Sequence, residues 1–182
     1  MSKSREDRKG LVLIYTGDGK GKTTAAVGMA VRAMGYGYKT LMIQFIKGAW
    51  NYGELMQEDR FGDLLEIEQV GLGYVGIRGD KLPREKHAAA AAKGLDKVRE
   101  GITSGDYDII ILDEVNVALK TGILDLEEVK KIIHEKPPFL HLVLTGRGAH
   151  DDLIELADLV TEVRSIKHPY DHGIEAQEGI EF

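Results

Sequence analysis

The stretch that decides the fold is Leu11-Val12-Leu13-Ile14-Tyr15-Thr16-Gly17-Asp18-Gly19-Lys20-Gly21-Lys22-Thr23-Thr24. An apolar run typical of a strand stops at Gly17, three glycines follow within five positions, and Lys22 opens an Ala- and Gly-rich run typical of a helix. Only a backbone without Cβ can turn its N–H groups inward around an anion and let phosphate oxygens approach closely. The stretch therefore predicts a phosphate-binding loop.

The residues of this loop have distinct predicted roles. The amides at the start of the following helix, together with its dipole, attract an anion. Lys22 supplies a positive charge for the outer phosphates, and the Thr23 hydroxyl is placed to ligate Mg²⁺. The predicted nucleotide-binding residues are Gly17, Asp18, Gly19, Lys20, Gly21, Lys22, Thr23 and Thr24.

The glycine spacing departs from the usual P-loop pattern G-x-x-x-x-G-K-[ST], because Thr16 occupies the position of its first glycine. A glycine-rich turn without a ligand is the alternative, and the run Gly-Lys-Thr-Thr between a strand and a helix argues against it. A second series, G-x-G-x-x-G from Gly71 to Gly76, follows a later strand. A dinucleotide site would need a helix directly behind it, and the sequence predicts none before Pro83, so we interpret this series as a loop.

Composition limits the class of protein. With 182 residues, of which 43% are hydrophobic, the chain suits one domain with a sizeable core, and we predict a short charged arm at 1–9 and a single domain at 10–182. A net charge of −6 argues against a surface that coats nucleic acid, and the absence of cysteine excludes disulfides and thiolate metal sites. Without a signal-like or membrane-spanning apolar stretch, we expect a soluble, cytoplasmic protein that binds neither nucleic acid nor membrane.

Predicted strands and helices alternate along the chain. The strands are expected at 11–16, 39–46, 64–70, 107–113, 140–145 and 159–166, and the helices at 23–36, 54–61, 83–104, 125–135 and 151–157. The strands are nearly continuous apolar runs, which is typical of strands buried on both faces of a parallel sheet. The predicted fold class is therefore α/β, with a mostly parallel sheet and helices on both faces.

Two further segments carry chemistry. The strand at 107–113 ends in Asp113-Glu114, the Walker B pattern of P-loop proteins, and a carboxylate at that sheet edge can hold Mg²⁺. A helix cap is the alternative role for these acids, and the upstream phosphate loop favours the metal. Arg147 follows another buried strand and is expected at the same edge. These residues predict a magnesium–nucleoside-triphosphate site without choosing its reaction.

The chain resembles the P-loop type of corrinoid adenosyltransferase over essentially its whole length. The segments that carry the resemblance are 16–26 with Arg32, 44–48 with Trp50, Gly53 and Glu54, then 112–114, 144–148, 167–170 with Gly173, 176–177 and 179–180. The variant phosphate loop is itself the form found in that family.

The resemblance implies a single-domain P-loop fold of the recombinase-like kind. It also implies transfer of the 5′-deoxyadenosyl group of ATP to Co(I) of cobalamin or a corrinoid precursor, with triphosphate leaving, in adenosylcobalamin biosynthesis or salvage. Because the substrate supplies the nucleophile, the protein needs no catalytic base. The implied cofactor is Mg²⁺, and the implied partners are an electron-donating reductase or flavoprotein and a second copy of the chain in a homodimer.

The resemblance also assigns roles to particular side chains. The implied catalytic residues are Lys22, Glu114 and Arg147, the implied metal-site residues are Thr23, Asp113 and Glu114, and Arg32 is implied to contact ribose or phosphate. Members of the family commonly carry a Phe and a Trp after the third strand, which remove the lower axial ligand of the corrinoid. Leu72 and Tyr74 are the nearest matches here, and with Trp50 they form the expected corrinoid-binding set.

Two other classes of function remain alternatives. A P-loop ATPase or kinase would use Glu114 to activate water or a hydroxyl group and would release ADP. A non-catalytic regulator would bind ATP and release it intact. The products formed from ATP separate the three.

Overall fold

The fold is built on a six-stranded sheet whose strands, in the part of the chain described, are all parallel. The structure is a computed structural model that describes residues 4–5, 7–48, 52–57, 61–73, 75–76 and 80–181. The strands are β1 (Val12–Thr16), β2 (Thr40–Gln44), β3 (Leu65–Gln69), β4 (Ile109–Asp113), β5 (His141–Thr145) and β6 (Leu159–Glu162). Their order across the sheet is β3-β2-β4-β5-β1-β6, so β5 lies between the strand of the phosphate loop and the strand of the paired acids.

Helices cover both faces of this sheet. They are α1 (Lys22–Met34), α2 (Arg84–Ser104), α3 (Val115–Lys120), α4 (Leu126–Glu135) and α5 (Asp151–Leu156), with short 3₁₀ segments at Gly53–Gln57, Gly62–Leu64 and Pro169–His172. None of the helices formed by the described residues combines the length and apolarity needed to cross a membrane.

The two sides of the sheet have separate hydrophobic clusters. On one side, α1 presents the small side chains of Ala26, Ala30 and Ala33 to the sheet. On the other side, α2 to α5 pack on the alternate residues of the same strands. Burial of both faces explains the continuous apolar runs in the sequence. The small residues let α1 pack closely on the sheet. Helix α1 begins at the carboxyl edge of the strands because it follows the end of β1 after a short loop.

The structure differs from the sequence-based elements most clearly in three places. Helix α3 was not predicted, because its six residues are too few to show helical periodicity. The helix expected at 54–61 is a 3₁₀ segment at Gly53–Gln57, and residues 58–60 lie outside the described part of the chain. Pairing of β6 with β1 stops at Glu162, since β1 itself ends at Thr16, so β6 is shorter than the strand predicted at 159–166.

Two arginines of the charged N-terminal arm contact the amino edge of the sheet, which is the edge away from the phosphate loop. Arg5 Nε and Arg8 Nη2 both donate to Asp108 Oδ1, at 2.9 and 2.5 Å. Asp108 Oδ2 accepts the Lys39 N–H at 2.9 Å, which links the starts of two neighbouring strands. This part of the arm therefore lies at the amino edge of the sheet, away from the phosphate loop.

Candidate nucleotide site

The loop between β1 and α1 has the shape of an anion-binding cradle. Gly17 and Gly21 have φ angles of 93° and 108°, in the region that favours glycine. A Cβ at Gly17 would lie 2.4 Å from the carbonyl oxygen of Val163. The Gly19 N–H donates to that same oxygen at 2.8 Å. The chain that follows β6 therefore fixes the position of the loop.

Helix α1 begins at the loop with no side-chain cap on its N-terminus. The first amides of this 13-residue helix can thus meet an anion in the cradle. Lys22 is 6% exposed, and its ammonium donates to the Gly19 carbonyl at 2.5 Å. Burial lowers the pKa of Lys22, Glu114 opposes this effect, and Arg147 adds to it. The ammonium is therefore held against its own loop.

Asp113 is the centre of a buried hydrogen-bond network at the end of β4. Its side chain is fully buried, and Oδ1 accepts the hydroxyls of Thr23 at 2.8 Å and Thr145 at 2.7 Å. The other oxygen, Oδ2, accepts Gln44 Nε2 at 3.4 Å and lies 3.5 Å from Lys47 Nζ. Side chains from three adjacent strands and from α1 thus meet on one carboxylate.

Glu114 is held in a strained backbone conformation at the same edge. Its φ of 62° makes it the one non-glycine residue with positive φ among those described. Such a conformation costs about 1–3 kcal/mol and persists only where its surroundings enforce it. The Glu114 N–H donates to Thr145 Oγ1 at 2.9 Å, which supplies part of that enforcement.

The Glu114 side chain faces a cavity together with several cations. Burial raises the pKa of the Glu114 carboxyl, and the neighbouring Asp113 raises it further. Three cations oppose this effect, in the order Lys22, Lys47 and Arg147. Within the described part of the chain, the Glu114 carboxylate has no hydrogen bond or ion pair of its own. Its oxygens are therefore the natural acceptors for a bound cation.

The cavity has a volume of about 770 Å³, within the usual range for small-molecule sites. Residues 19–24 form its floor, and Glu114 and Arg147 line it from the ends of β4 and β5. The C-terminal tail closes one side with residues 179–181, and the Glu181 carboxylate contacts the Lys20 ammonium. The predicted loop, acid and arginine therefore meet at a single cavity.

Some predicted site residues lie elsewhere. Gly17 and Asp18 shape the loop without lining the cavity, whereas Arg32 is exposed in the last turn of α1. Arg32 lies ten positions after Lys22 on α1, which is about 15 Å along the helix axis. Leu72 is 46% exposed in the loop after β3, outside the cavity lining. Trp50 and Tyr74 lie outside the described residues. The roles assigned to these residues stay predictions.

The structure adds functional candidates that the sequence left without a role. Lys47 and Glu54 line the cavity, and their side chains are 2.8 Å apart. Thr145 and Gln44 both contact Asp113. Each of these two is a polar residue that ends an apolar strand, which was a signal available in the sequence. The return of the C-terminal tail to the loop had no local signal.

Two oxygen groups at the cavity suit Mg²⁺. Thr23 gives its hydroxyl proton to Asp113, which leaves the lone pairs of its oxygen for a cation. Glu114 offers an unpaired carboxylate beside it. Mg²⁺ commonly takes one or two protein ligands, with phosphate oxygens and waters completing its octahedron. Asp113, which is buried and hydrogen-bonded to other side chains, orients the Thr23 hydroxyl by accepting its hydrogen bond.

Residues 8–182 match the family described as ATP:corrinoid adenosyltransferase BtuR/CobO/CobP. The chain belongs to this family. The corrinoid adenosyltransferase of a Sinorhizobium species is 43% identical over 98% of this chain and 83% of its own length. The corrinoid adenosyltransferase of Escherichia coli K12 is 38% identical over 97% of this chain and 88% of its own length. The expected membership in the corrinoid adenosyltransferase family is therefore confirmed.

A solved structure supports the fold of this adenosyltransferase-family chain. The KaiC-like protein PH0186 of Pyrococcus horikoshii OT3 superposes with a TM-score of 0.55, covering 87% of this chain and 75% of that one. The two sequences are 16% identical, so the likeness concerns the fold alone. It confirms the predicted recombinase-like P-loop architecture.

Proposed function

We propose that the protein transfers the 5′-deoxyadenosyl group of ATP to the cobalt of a corrinoid. In this reaction the electron pair of Co(I) attacks C5′, a Co–C bond forms, the C5′–O bond breaks, and triphosphate leaves with the bonding pair. The observation that carries the proposal is the convergence of the α1 amides, Lys22 and Arg147 on one cavity, in a chain of the adenosyltransferase family.

The residues of the cavity act by positioning and by stabilising charge. Negative charge grows on the oxygen that leaves C5′, and fixed donors aimed at that charge lower the barrier. The loop amides, Lys22 and Arg147 are such donors. Holding C5′ against the incoming cobalt adds the advantage of proximity. Since the nucleophile comes with the substrate, Glu114 serves the cation site and is not required as a base.

We assign Mg²⁺ to Thr23 and Glu114, with Asp113 as the residue that orients Thr23. When bound, the ion neutralises phosphate oxygens of ATP and of the departing triphosphate. This assignment is supported by the unpaired Glu114 carboxylate and by the direction of the Thr23 hydroxyl bond.

The corrinoid side of the proposal rests on the family and on one exposed apolar residue. Leu72 lies beside the end of β2, because the following Gly73 N–H donates to the Ile46 carbonyl at 3.1 Å. An exposed leucine at the carboxyl edge of the sheet suits contact with a macrocycle. A homodimer, an electron-donating reductase or flavoprotein as partner, and a cytoplasmic location complete the proposal. The first two rest on the resemblance to the family, and the third rests on the composition of the sequence.

The proposal is tested by the dependence of ATP consumption on the corrinoid. ATP and Mg²⁺ alone should be nearly inert, and cob(I)alamin added under strong reductant and anoxia should start consumption of ATP. Lys22→Ala is the control variant that should stay inactive under both conditions. Release of ADP at a comparable rate without a corrinoid would contradict the proposal and favour an ATPase.

A further inference from the structure

Lys47 and Glu54 form a partly buried ion pair beside the proposed metal site. Lys47 Nζ lies 2.8 Å from Glu54 Oε1, and the two side chains are 13% and 16% exposed. The Lys47 ammonium also lies 4.2 Å from the ring centre of Tyr52, in the range of a cation–π contact. Both residues line the same cavity as the phosphate loop.

The pair is joined to Asp113 by two routes. Lys47 Nζ lies 3.5 Å from Asp113 Oδ2. Gln44 Nε2 donates to Glu54 Oε1 at 3.1 Å and to Asp113 Oδ2 at 3.4 Å, and Gln69 Nε2 fixes the Gln44 amide by donating to its Oε1 at 3.0 Å. The pair therefore holds the oxygen of Asp113 that is not occupied by Thr23.

A buried carboxylate without a cation is costly, and removal of one partner of a buried pair leaves the other charge uncompensated. Burial by itself lowers the pKa of Lys47, but Asp113 and Glu54 together outweigh that effect and raise it. Lys47 is thus a lasting positive charge between two carboxylates, and its position is set by Glu54.

We propose that the Lys47–Glu54 pair is a positioning device for the magnesium–triphosphate site. It acts through Asp113: the pair balances and orients Oδ2, so that Oδ1 accepts the Thr23 hydroxyl and the lone pairs of the Thr23 oxygen would be available to the metal. The inference rests on the ATP and Mg²⁺ site of the proposed function but not on the transfer step.

The test uses a double variant that leaves the net charge unchanged. Lys47→Met/Glu54→Gln removes one positive and one negative charge, so the long-range field at the phosphates is nearly preserved. The matched control is Lys97→Met/Glu68→Gln, which removes a lysine–glutamate pair 3.0 Å apart and away from the cavity. ATP binding is measured by titration calorimetry without a corrinoid, in a chelator and at a series of Mg²⁺ concentrations.

The Mg²⁺ concentration at which the ATP association constant reaches half of its maximum should rise about 10- to 100-fold in the Lys47/Glu54 variant. Loss of a residue that supports a metal ligand usually lowers metal affinity by this factor. Metal-free ATP affinity should stay within about twofold, and the control variant should match the wild type. An unchanged Mg²⁺ requirement would overturn the proposal. Equal losses with and without Mg²⁺ would also overturn it, because Lys47 would then contact the phosphates directly.

Glu54→Gln alone keeps the test decisive if the double variant does not fold, because it preserves the shape of the side chain. Its Mg²⁺ requirement should also rise, and an unchanged requirement would again refute the proposal. Lys47→Arg, made with Glu54 intact, keeps both charges of the pair. Its Mg²⁺ requirement should therefore lie much closer to that of the wild type than to that of the double variant. A wild type that binds ATP with Mg²⁺ but transfers nothing to a corrinoid would refute the proposed function and leave this inference standing.

Discussion

Thr145→Val should destabilise the protein strongly, although valine has nearly the same shape as threonine. Thr145 is fully buried, and its hydroxyl donates to Asp113 Oδ1 at 2.7 Å and accepts the Glu114 N–H at 2.9 Å. A hydrogen bond to a charged group contributes about 1.5–3 kcal/mol, and a buried N–H left unpaired costs about 1–3 kcal/mol. Asp113 keeps its other partners, so the lower half of each range applies, and the free energy of unfolding should fall by about 2.5–4 kcal/mol.

Urea unfolding of the ligand-free protein, followed by circular dichroism at pH 7, measures this loss. With a slope of about 2 kcal/mol per molar, the midpoint should fall by roughly 1.2–2 M. Thr145→Ser is the control, because it keeps the hydroxyl and loses one methyl group, which costs about 1 kcal/mol or 0.5 M. Equal midpoints for the Val and Ser variants would refute the claim that this hydroxyl holds the two acids in place.

Further predictions concern the phosphate loop and Glu114. Lys22→Ala should weaken ATP binding more than tenfold and abolish turnover, since the phosphates lose a fixed cation; near-normal turnover in an adenosylation assay would remove Lys22 from the site. The pKa of Glu114 is raised in the folded protein, so the ionised carboxylate lowers the stability of the fold above that pKa and has no such effect below the unfolded value of about 4.3. At pH 8, Glu114→Gln should therefore unfold at a higher urea concentration than the wild type. At pH 4, the two proteins should unfold at similar concentrations. The same variant should need more Mg²⁺ for activity, and an unchanged requirement would exclude Glu114 as a ligand. Gly19→Ala should destabilise the protein by about 1–3 kcal/mol, because the added Cβ would lie 2.7 Å from a backbone carbon of the segment after β6. Gly28→Ala, on α1 where the added Cβ meets open space, should stabilise the protein by about 0.5–1 kcal/mol. A higher melting temperature for Gly19→Ala than for Gly28→Ala would contradict the packing of the loop.

Local patterns in the sequence predicted the parallel sheet and the position of the phosphate loop. The apolar runs that became β2, β4 and β5 are continuous because helices cover both faces, and this property shows in any short window of sequence. The glycines at 17 and 21 have the positive φ angles that their placement implied. The carboxyl ends of parallel strands meet at one edge, so Lys22, Glu114 and Arg147 were expected to meet, and they line one cavity.

Features that depend on contacts distant in sequence were not predictable in the same way. The ion pair of Lys47 with Glu54 requires the 3₁₀ segment at Gly53–Gln57 to fold back over the end of β2. No hydrophobic periodicity in the sequence predicts this reversal of the chain. The contact of Glu181 with Lys20 spans most of the chain. The positive φ of Glu114 is held in part by a hydrogen bond to the Thr145 hydroxyl on another strand, a contact that the sequence around Glu114 does not indicate.

The most direct measurement follows both halves of ATP through the reaction. ATP tritiated at C5′ is incubated with the protein, Mg²⁺ and cob(I)alamin under anoxia, the corrinoid is isolated in the dark, and the phosphates are identified by phosphorus NMR. The account predicts one tritiated adenosyl group on cobalt for each ATP consumed, with an equal amount of unbroken triphosphate. Tritium remaining in ADP, with orthophosphate as the phosphorus product, would contradict it.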